Sequence, residues 1–161
     1  PMDRETQLGS MARADLLEGL HRQVEASVAA GATLATGGHR VGETGHFYAP
    51  TVLVDVPRDS PAAREELFGP VAAVFIANDV AHAVQLANDT EFGLAASVWS
   101  QDRAKARALV PLLDAGAVFI NKMPGSDPRL PFGGVKASGY GRELGLAGIR
   151  EFVNVKTVCI D

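Results

Sequence analysis

The sequence predicts an α/β fold in which a mostly parallel sheet is flanked by helices. Short apolar runs rich in β-branched residues alternate along the chain with segments of helical periodicity. Glycines and prolines fall at the boundaries between these segments. The 161 residues, of which 47% are hydrophobic and 21% are charged, are enough to form a globular core. Because strands that alternate with helices usually run in the same direction, the pattern favours parallel pairing.

The first elements are read from periodicity and from their end signals. A helix is predicted from Arg13 to Ala30, with Gly31 as its left-handed cap and with an apolar face at helical spacing that consists of Leu17, Leu20, Val24 and Val28. Four glycines between residues 37 and 45 predict a loop. Residues 51–56 predict a strand that ends at Pro57. The continuous apolar run at 71–77 predicts a central strand that is covered on both faces.

The second half repeats the alternation of helix and strand. Asp79 is expected to cap a helix that reaches Asn88, and residues 94–99 predict the strand that follows. Asp102 opens another helix, in which Pro111 predicts a kink or an early stop. Residues 117–121 predict a strand and residues 143–152 a short last helix. Between them, residues 122–139 predict a long loop, and loops of this length in compact domains usually serve a function.

The C-terminal residues 153–160 are predicted to form a strand. Val153, Val155, Thr157 and Cys159 would share one face, and Asn154 and Lys156 the other. Because no later strand follows, its backbone groups must pair with an earlier strand or with another subunit. The second option predicts a homo-oligomer. We therefore divide the chain into a main domain, 1–152, and an oligomerisation strand, 153–161.

Composition excludes several classes of function. The net charge of −4 is unfavourable for a protein that binds nucleic acid phosphates. No apolar run approaches the roughly 20 residues that cross a bilayer, and the N-terminal residues do not resemble a secretory signal, so we expect no membrane partner and a cytoplasmic location. The four histidines lack the spacing of metal ligands, and no metal site is predicted.

Two motifs carry a family resemblance. Residues 65–71 read Glu-Glu-Leu-Phe-Gly-Pro-Val, and residues 130–145 read Leu-Pro-Phe-Gly-Gly-Val-Lys-Ala-Ser-Gly-Tyr-Gly-Arg-Glu-Leu-Gly. Both resemble segments of the aldehyde dehydrogenases, and the resemblance extends over essentially the whole chain. Residues 126–132 and the ending Val-Lys-Thr-Val-Cys-Ile resemble the succinate-semialdehyde dehydrogenase branch. The resemblance implies a C-terminal part of an oxidoreductase that converts an aldehyde, succinic semialdehyde in that branch, to its carboxylic acid with NAD or NADP.

The resemblance also implies roles for individual residues. Glu66 would accept hydrogen bonds from the nicotinamide ribose, and Phe68 would pack against the sugar and the ring. Phe132 would form an apolar wall for the aldehyde. A substrate with a distal carboxylate needs a cation or hydroxyl donors, for which Arg129 and Ser126 are the candidates. From spacing alone, Glu66 is more often a solvated charge and Phe68 more often a core residue, and Arg129 also fits an ordinary surface arginine.

No catalytic residue is assigned in this chain. Enzymes of this family use a cysteine nucleophile, and the only cysteine here is Cys159, in the predicted terminal strand. No histidine, cation or helix N-terminus is adjacent to stabilise a thiolate, so we interpret Cys159 as a small, half-buried apolar residue. The chain alone is therefore expected to be inactive. The alternative is a non-catalytic oligomerisation or interaction module derived from this family.

Overall fold

The computed structural model describes residues 3–161, which divide into two compact units, the first ending at Ala77 and the second spanning Asn78–Asp161. Each unit combines helices with short strands. The predicted α/β class is confirmed. The strand pairing is mixed, since two of the five strand pairs are parallel and the others antiparallel.

The first unit begins with the predicted helix. Helix α1 spans Ala14–Ala29, and Gly31 follows with a φ of 118°, as expected of a left-handed cap. The other elements are β1 (Thr33–Thr36), β2 (Arg40–Val41), β3 (Phe47–Tyr48), β4 (Thr51–Val54), α2 (Pro61–Arg64) and β5 (Val71–Ala73). The glycine-rich segment between β1 and β4 therefore contains a β2–β3 hairpin, which the sequence pattern did not predict.

The three-stranded sheet of this unit has the order β1-β4-β5. The chain returns from β1 to β4 without a helix, and the pair is antiparallel. Between β4 and β5 it crosses over through α2, and the pair is parallel. The core lies between this sheet and α1, where Leu53 is fully buried and Leu20 and Val24 are each 2% exposed.

The prediction that residues 71–77 form a central strand is wrong for this chain. Strand β5 lies at the edge of its sheet, next to β4 alone among the described strands. Val71, Ala73 and Phe75 pack against the core, whereas Ile76 on the other face is 85% exposed. The crossover through α2 adds β5 at the outside of the sheet, and no later strand in residues 3–161 is added beyond it.

The second unit contains α3 (Val80–Asn88), β6 (Phe92–Gly93), β7 (Ala95–Val98), α4 (Arg103–Leu109), a 3-10 turn (Val110–Leu112), β8 (Ala117–Ile120), β9 (Val135–Lys136) and α5 (Gly145–Glu151). The predicted caps are confirmed, because the Asp79 carboxylate accepts a hydrogen bond from the His82 amide and that of Asp102 accepts from two amides of α4. The helix stops before Pro111 as predicted.

Strand pairing in this unit follows the same rule as in the first. Strands β7 and β8 are joined through α4 and pair in parallel. Strand β9 lies inside the segment predicted to be an irregular loop and pairs antiparallel with β6. Strand β9 therefore anchors residues 122–139 at one point. The high content of proline and glycine in this segment kept β9 from being predicted.

Residues 153–161 form no strand in this structure, in contrast to the prediction. They are exposed, with Val155 and Ile160 each 87% exposed. A strand requires a neighbour for its backbone hydrogen bonds, and no strand of the described chain pairs with this segment. In this structure the segment thus pairs with no earlier strand of residues 3–161, and pairing with another subunit stays a prediction.

Candidate functional site

Helix α1 fixes the loop that carries Glu66 and Phe68. The Gln23 side-chain amide donates to the Glu65 carboxylate at 2.8 Å and to the Glu66 carbonyl oxygen at 3.2 Å. One turn further on, the Ser27 hydroxyl accepts from the Ala62 amide at 2.9 Å. Helix α1 therefore holds both the residues that precede this loop and the first residues of the loop itself.

Gly69 sets the direction of the loop. The Gly69 amide donates to the Leu67 carbonyl, and the Val71 amide donates to the Gly69 carbonyl, each at 2.8 Å. An added Cβ at Gly69 would lie 2.4 Å from Leu20 Cδ2, and Leu20 is buried in the core. The backbone therefore packs directly on α1 at this point. The Phe68 side chain is 61% exposed.

Two cavities meet at Phe68. The first, of about 420 Å³, is mainly apolar and is lined by residues 8–12, Leu16 and residues 67–70. The second, also about 420 Å³, is lined by Glu66 together with Asp15, Arg22, Gln23 and Glu65 among others. Phe68 and Leu16 line both cavities. The structure thus brings the two predicted cofactor residues together, with an almost wholly apolar cavity on one side of Phe68 and a cavity that includes charged side chains on the other.

In the second unit, Phe132 lines a cavity of about 370 Å³ with Tyr140, Arg142, Glu151 and Phe152 among its other residues. The backbone amides and carbonyls of Phe132 and Glu143 exchange two hydrogen bonds of 2.8 Å. The Arg142 guanidinium donates to the Gly134 carbonyl at 2.9 Å and to the Gly141 carbonyl at 2.6 Å. These contacts close residues 132–143 into a fixed loop around the cavity.

The backbone at Gly116 lies directly against the backbone of this loop at Gly133. A Cβ added at Gly116 would lie 1.7 Å from the Gly133 carbonyl oxygen, so no side chain fits at that position. Gly133 directly follows Phe132. The segment before β8 therefore determines where the backbone next to Phe132 can lie.

Arg129 and Ser126 do not line the cavity that contains Phe132. The Arg129 Nε and Nη2 donate to the two Asp127 carboxylate oxygens at 2.9 and 2.6 Å. The hydrogen bond from Arg129 lowers the pKa of Asp127 to about 2. The pair is solvent-exposed on the arginine side, with an 86% exposed Arg129 side chain. One edge of the guanidinium is thus already occupied by a carboxylate.

Sequence reasoning missed Arg22 and Gln23, which line the Glu66 cavity from α1. Their type and spacing are ordinary for the polar face of a helix. A signal was nevertheless present one turn earlier, because Gly19 lies inside α1, where glycine is unfavourable. Gly19 also lines this cavity.

Residues 3–161 also bear on metal binding and on membrane insertion. No group of three or more histidine, cysteine or acidic side chains in this range is arranged to hold a metal ion. No helix in the same range is both long enough and apolar enough to cross a membrane. Cys159 is exposed and unbridged, rather than the half-buried residue expected of the terminal strand.

Comparison with known proteins gives consistent matches. The model of the aldehyde dehydrogenase family matches residues 1–158. The succinate semialdehyde dehydrogenase [NAD(P)+] Sad of Escherichia coli K12 is 51% identical over the whole chain, which covers 35% of that protein. A probable succinate-semialdehyde dehydrogenase [NADP(+)] of Synechocystis is 50% identical over 96% of the chain and 34% of its own length.

A solved structure shows that the fold is shared as well. The succinic semialdehyde dehydrogenase of Streptococcus pyogenes in complex with NADP+ superimposes with a TM-score of 0.95 at 36% identity, over 99% of this chain and 35% of that one. The chain thus spans about a third of the length of these relatives. Its sequence and its fold together show that it belongs to the aldehyde dehydrogenase family.

Proposed function

We propose that this chain is part of an NAD- or NADP-dependent enzyme that oxidises succinic semialdehyde to succinate. In that reaction the aldehyde and water give the acid, and the hydride passes to the oxidised nicotinamide. Relatives named as succinate-semialdehyde dehydrogenases, at about half-identical sequence, support the substrate. The single observation that carries the proposal is the joint placement of Glu66 and Phe68 on one cavity wall.

The two cavities at Phe68 suit the two parts of a nicotinamide nucleoside. The oxidised ring is a flat pyridinium cation whose face can stack on an aromatic side chain, and Phe68 borders the first cavity, where the ring would lie. The ribose hydroxyls are donors, and the Glu66 carboxylate in the second cavity is a charged acceptor for them. Since Gln23 holds the Glu66 backbone, the carboxylate is presented from a fixed position.

For the aldehyde, we propose that Phe132 is the apolar wall and that Arg129 and Ser126 meet the distal carboxylate. Arg129 holds Asp127 through Nε and Nη2, which leaves the Nη1 edge for a second carboxylate. The Asp127 pair also holds the guanidinium in one orientation, which lowers the entropy that substrate binding would cost.

The cofactor part of the proposal is tested by measuring the affinity of the purified chain for nicotinamide riboside. Saturation-transfer NMR is the readout. We expect Glu66→Gln to weaken binding about tenfold, because a charge-assisted hydrogen bond contributes about 1.5–3 kcal/mol. Phe68→Ala should weaken it several-fold through lost ring contact. Glu43→Gln, an exposed change in the glycine-rich segment, is the control and should bind as the unmodified chain does. Equal affinity in all four proteins would contradict the assignment.

We further propose that these 161 residues alone do not oxidise aldehydes. Covalent catalysis in this family needs an activated cysteine thiolate, whereas Cys159 is exposed and forms no hydrogen bond with the described residues. Incubation with succinic semialdehyde and either NAD or NADP should give no rise in the absorbance of the reduced cofactor. Turnover at an ordinary rate of about 1 s⁻¹ or faster would contradict this proposal.

The partners belong to the same proposal. We expect a small aldehyde as substrate, a cytoplasmic location, and a homo-oligomer held by residues 153–161. The exposed apolar side chains of this segment, such as the 87% exposed Val155 and Ile160, favour a protein contact there. The same observation favours the second candidate function, a non-catalytic oligomerisation module, which would associate through this segment without binding nicotinamide riboside.

A further inference from the structure

The turn that carries Arg129 has a backbone that is fixed at several points. The Leu130 amide donates to the Asp127 carbonyl oxygen at 2.9 Å, and Pro128 restricts the φ of the residue between them. The Gly145 amide donates to the Pro128 carbonyl oxygen at 3.0 Å. A Cβ added at Gly145 would lie 3.0 Å from the Arg129 carbonyl oxygen, so the turn also packs against that glycine. The Arg129 side chain, which is 86% exposed, therefore starts from a defined backbone position.

The Asp127 carboxylate holds both the backbone and the head group of Arg129. Its Oδ1 accepts from the Arg129 amide at 3.0 Å and from Nε at 2.9 Å, and its Oδ2 accepts from Nη2 at 2.6 Å. Two of the five N–H donors of the guanidinium are thereby used, and those of the Nη1 edge remain for a ligand. Asp127 thus fixes the direction in which Arg129 presents its remaining donors.

The charges around Arg129 match a ligand with a single negative charge. The hydrogen bond from the Arg129 side chain, and after it the one from the Arg129 amide, lower the pKa of Asp127 to about 2, so this carboxylate is ionised. The charge of Lys122 acts on the same pKa in the same direction. The three side chains together have a net charge of plus one, and without Asp127 the two cations would have plus two. A carboxylate has one negative charge, whereas a phosphate monoester has about one and a half to two at neutral pH.

We infer that Asp127 is a specificity-determining residue, through which the site at Arg129 accepts an aldehyde that ends in a carboxylate and rejects one that ends in a phosphate. This inference rests on the proposed function, in which Arg129 meets the distal carboxylate. Arg129 precedes Phe132 by three residues, so their Cα atoms lie at most about 11 Å apart and both side chains can contact one short substrate. Without Asp127, the doubly positive site would attract the more highly charged phosphate more strongly.

The test compares butanoate with propyl phosphate, which have the same apolar chain and differ in the anionic group. Both are titrated into the full chain at neutral pH and low salt, with saturation-transfer NMR as the readout. We expect the unmodified chain to bind butanoate at least as tightly as propyl phosphate. Asp127→Asn should shift the ratio of the two affinities about threefold or more toward propyl phosphate, because removal of a nearby negative charge favours the dianion more than the monoanion.

The controls separate charge from loop structure. Asparagine has nearly the shape of aspartate and keeps an acceptor for the Arg129 amide, so the turn should persist. A loop that is merely looser would weaken both ligands alike and leave their ratio unchanged. Glu91→Gln, an exposed change in the second unit, removes the same charge elsewhere and should also leave the ratio unchanged. Arg129→Gln should weaken both ligands.

The outcomes distinguish this inference from the proposed function. If butanoate binds through Arg129 but Asp127→Asn leaves the ratio unchanged, the role of Asp127 is overturned and the proposed function stays intact. An unmodified chain that prefers propyl phosphate would overturn the same role. If butanoate does not bind the unmodified chain, or binds equally well after Arg129→Gln, the proposed substrate contact of Arg129 fails and this inference fails with it.

Discussion

Replacing Gly116 with alanine should destabilise the second unit by about 3 kcal/mol, at the upper end of the range for overpacking. The new Cβ would lie 1.7 Å from the Gly133 carbonyl oxygen and 2.7 Å from its carbonyl carbon. Both contacts are with backbone, so no side-chain rotation relieves them. Either β8 or the loop that carries Phe132 has to move.

The measurement is urea unfolding followed by the fluorescence of Trp99, which is the only tryptophan of the chain and lies in the second unit. Gly125→Ala is the matched control, because a Cβ there has no atom within 4 Å. That change should alter the free energy of unfolding by less than about 1 kcal/mol, and a small gain is expected from the stiffer unfolded chain. Equal urea midpoints for the two variants would show that the Gly116 contact is not constraining.

Proline at both Val155 and Val158 should convert an oligomer of this chain into a monomer. Proline lacks the backbone N–H, and in a strand the N–H groups of residues 155 and 158 point to opposite edges. A ladder hydrogen bond would therefore be lost whichever edge is paired, and the segment could no longer serve as a regular paired strand. Both valines are exposed, at 87% and 73%, so the change should leave the fold of each unit intact.

The mass in solution is measured by light scattering coupled to size exclusion. Threonine at the same two positions is the control, since it keeps the β-branched shape and the N–H donor, and this variant should remain at least a dimer. A monomeric unmodified chain at high concentration would refute association through this segment, and so would an unchanged mass of the proline variant.

Local signals predicted α1, α3 and α4 well, because the residues that cap each of these helices lie within a few residues of its end. Asp79 and Asp102 accept hydrogen bonds from the first amides of their helices, and Gly31 adopts the positive φ that ends α1. The strands were harder, since an apolar run does not reveal how many neighbours it has. Residues 71–77 therefore read as a central strand although β5 lies at an edge.

The candidate site likewise contains residues that the sequence predicted and residues that it did not. Glu66 and Phe68 were found through the family motif, and the structure places them on one cavity. Arg22 was not found, because its position depends on how α1 packs against a loop more than 40 residues later, where Gln23 contacts Glu66. The Asp127 partner of Arg129 likewise became evident only from the geometry of their side chains.

The edge position of β5 has a consequence for how copies of this chain meet. An exposed strand edge is a template of unpaired N–H and C=O groups, along which a strand of another chain can pair. Here the template is only three residues long, and the residue before it is Pro70, which offers no N–H. The backbone of β5 therefore offers few hydrogen-bonding groups for uncontrolled addition of further strands, even though the adjoining side chains are apolar.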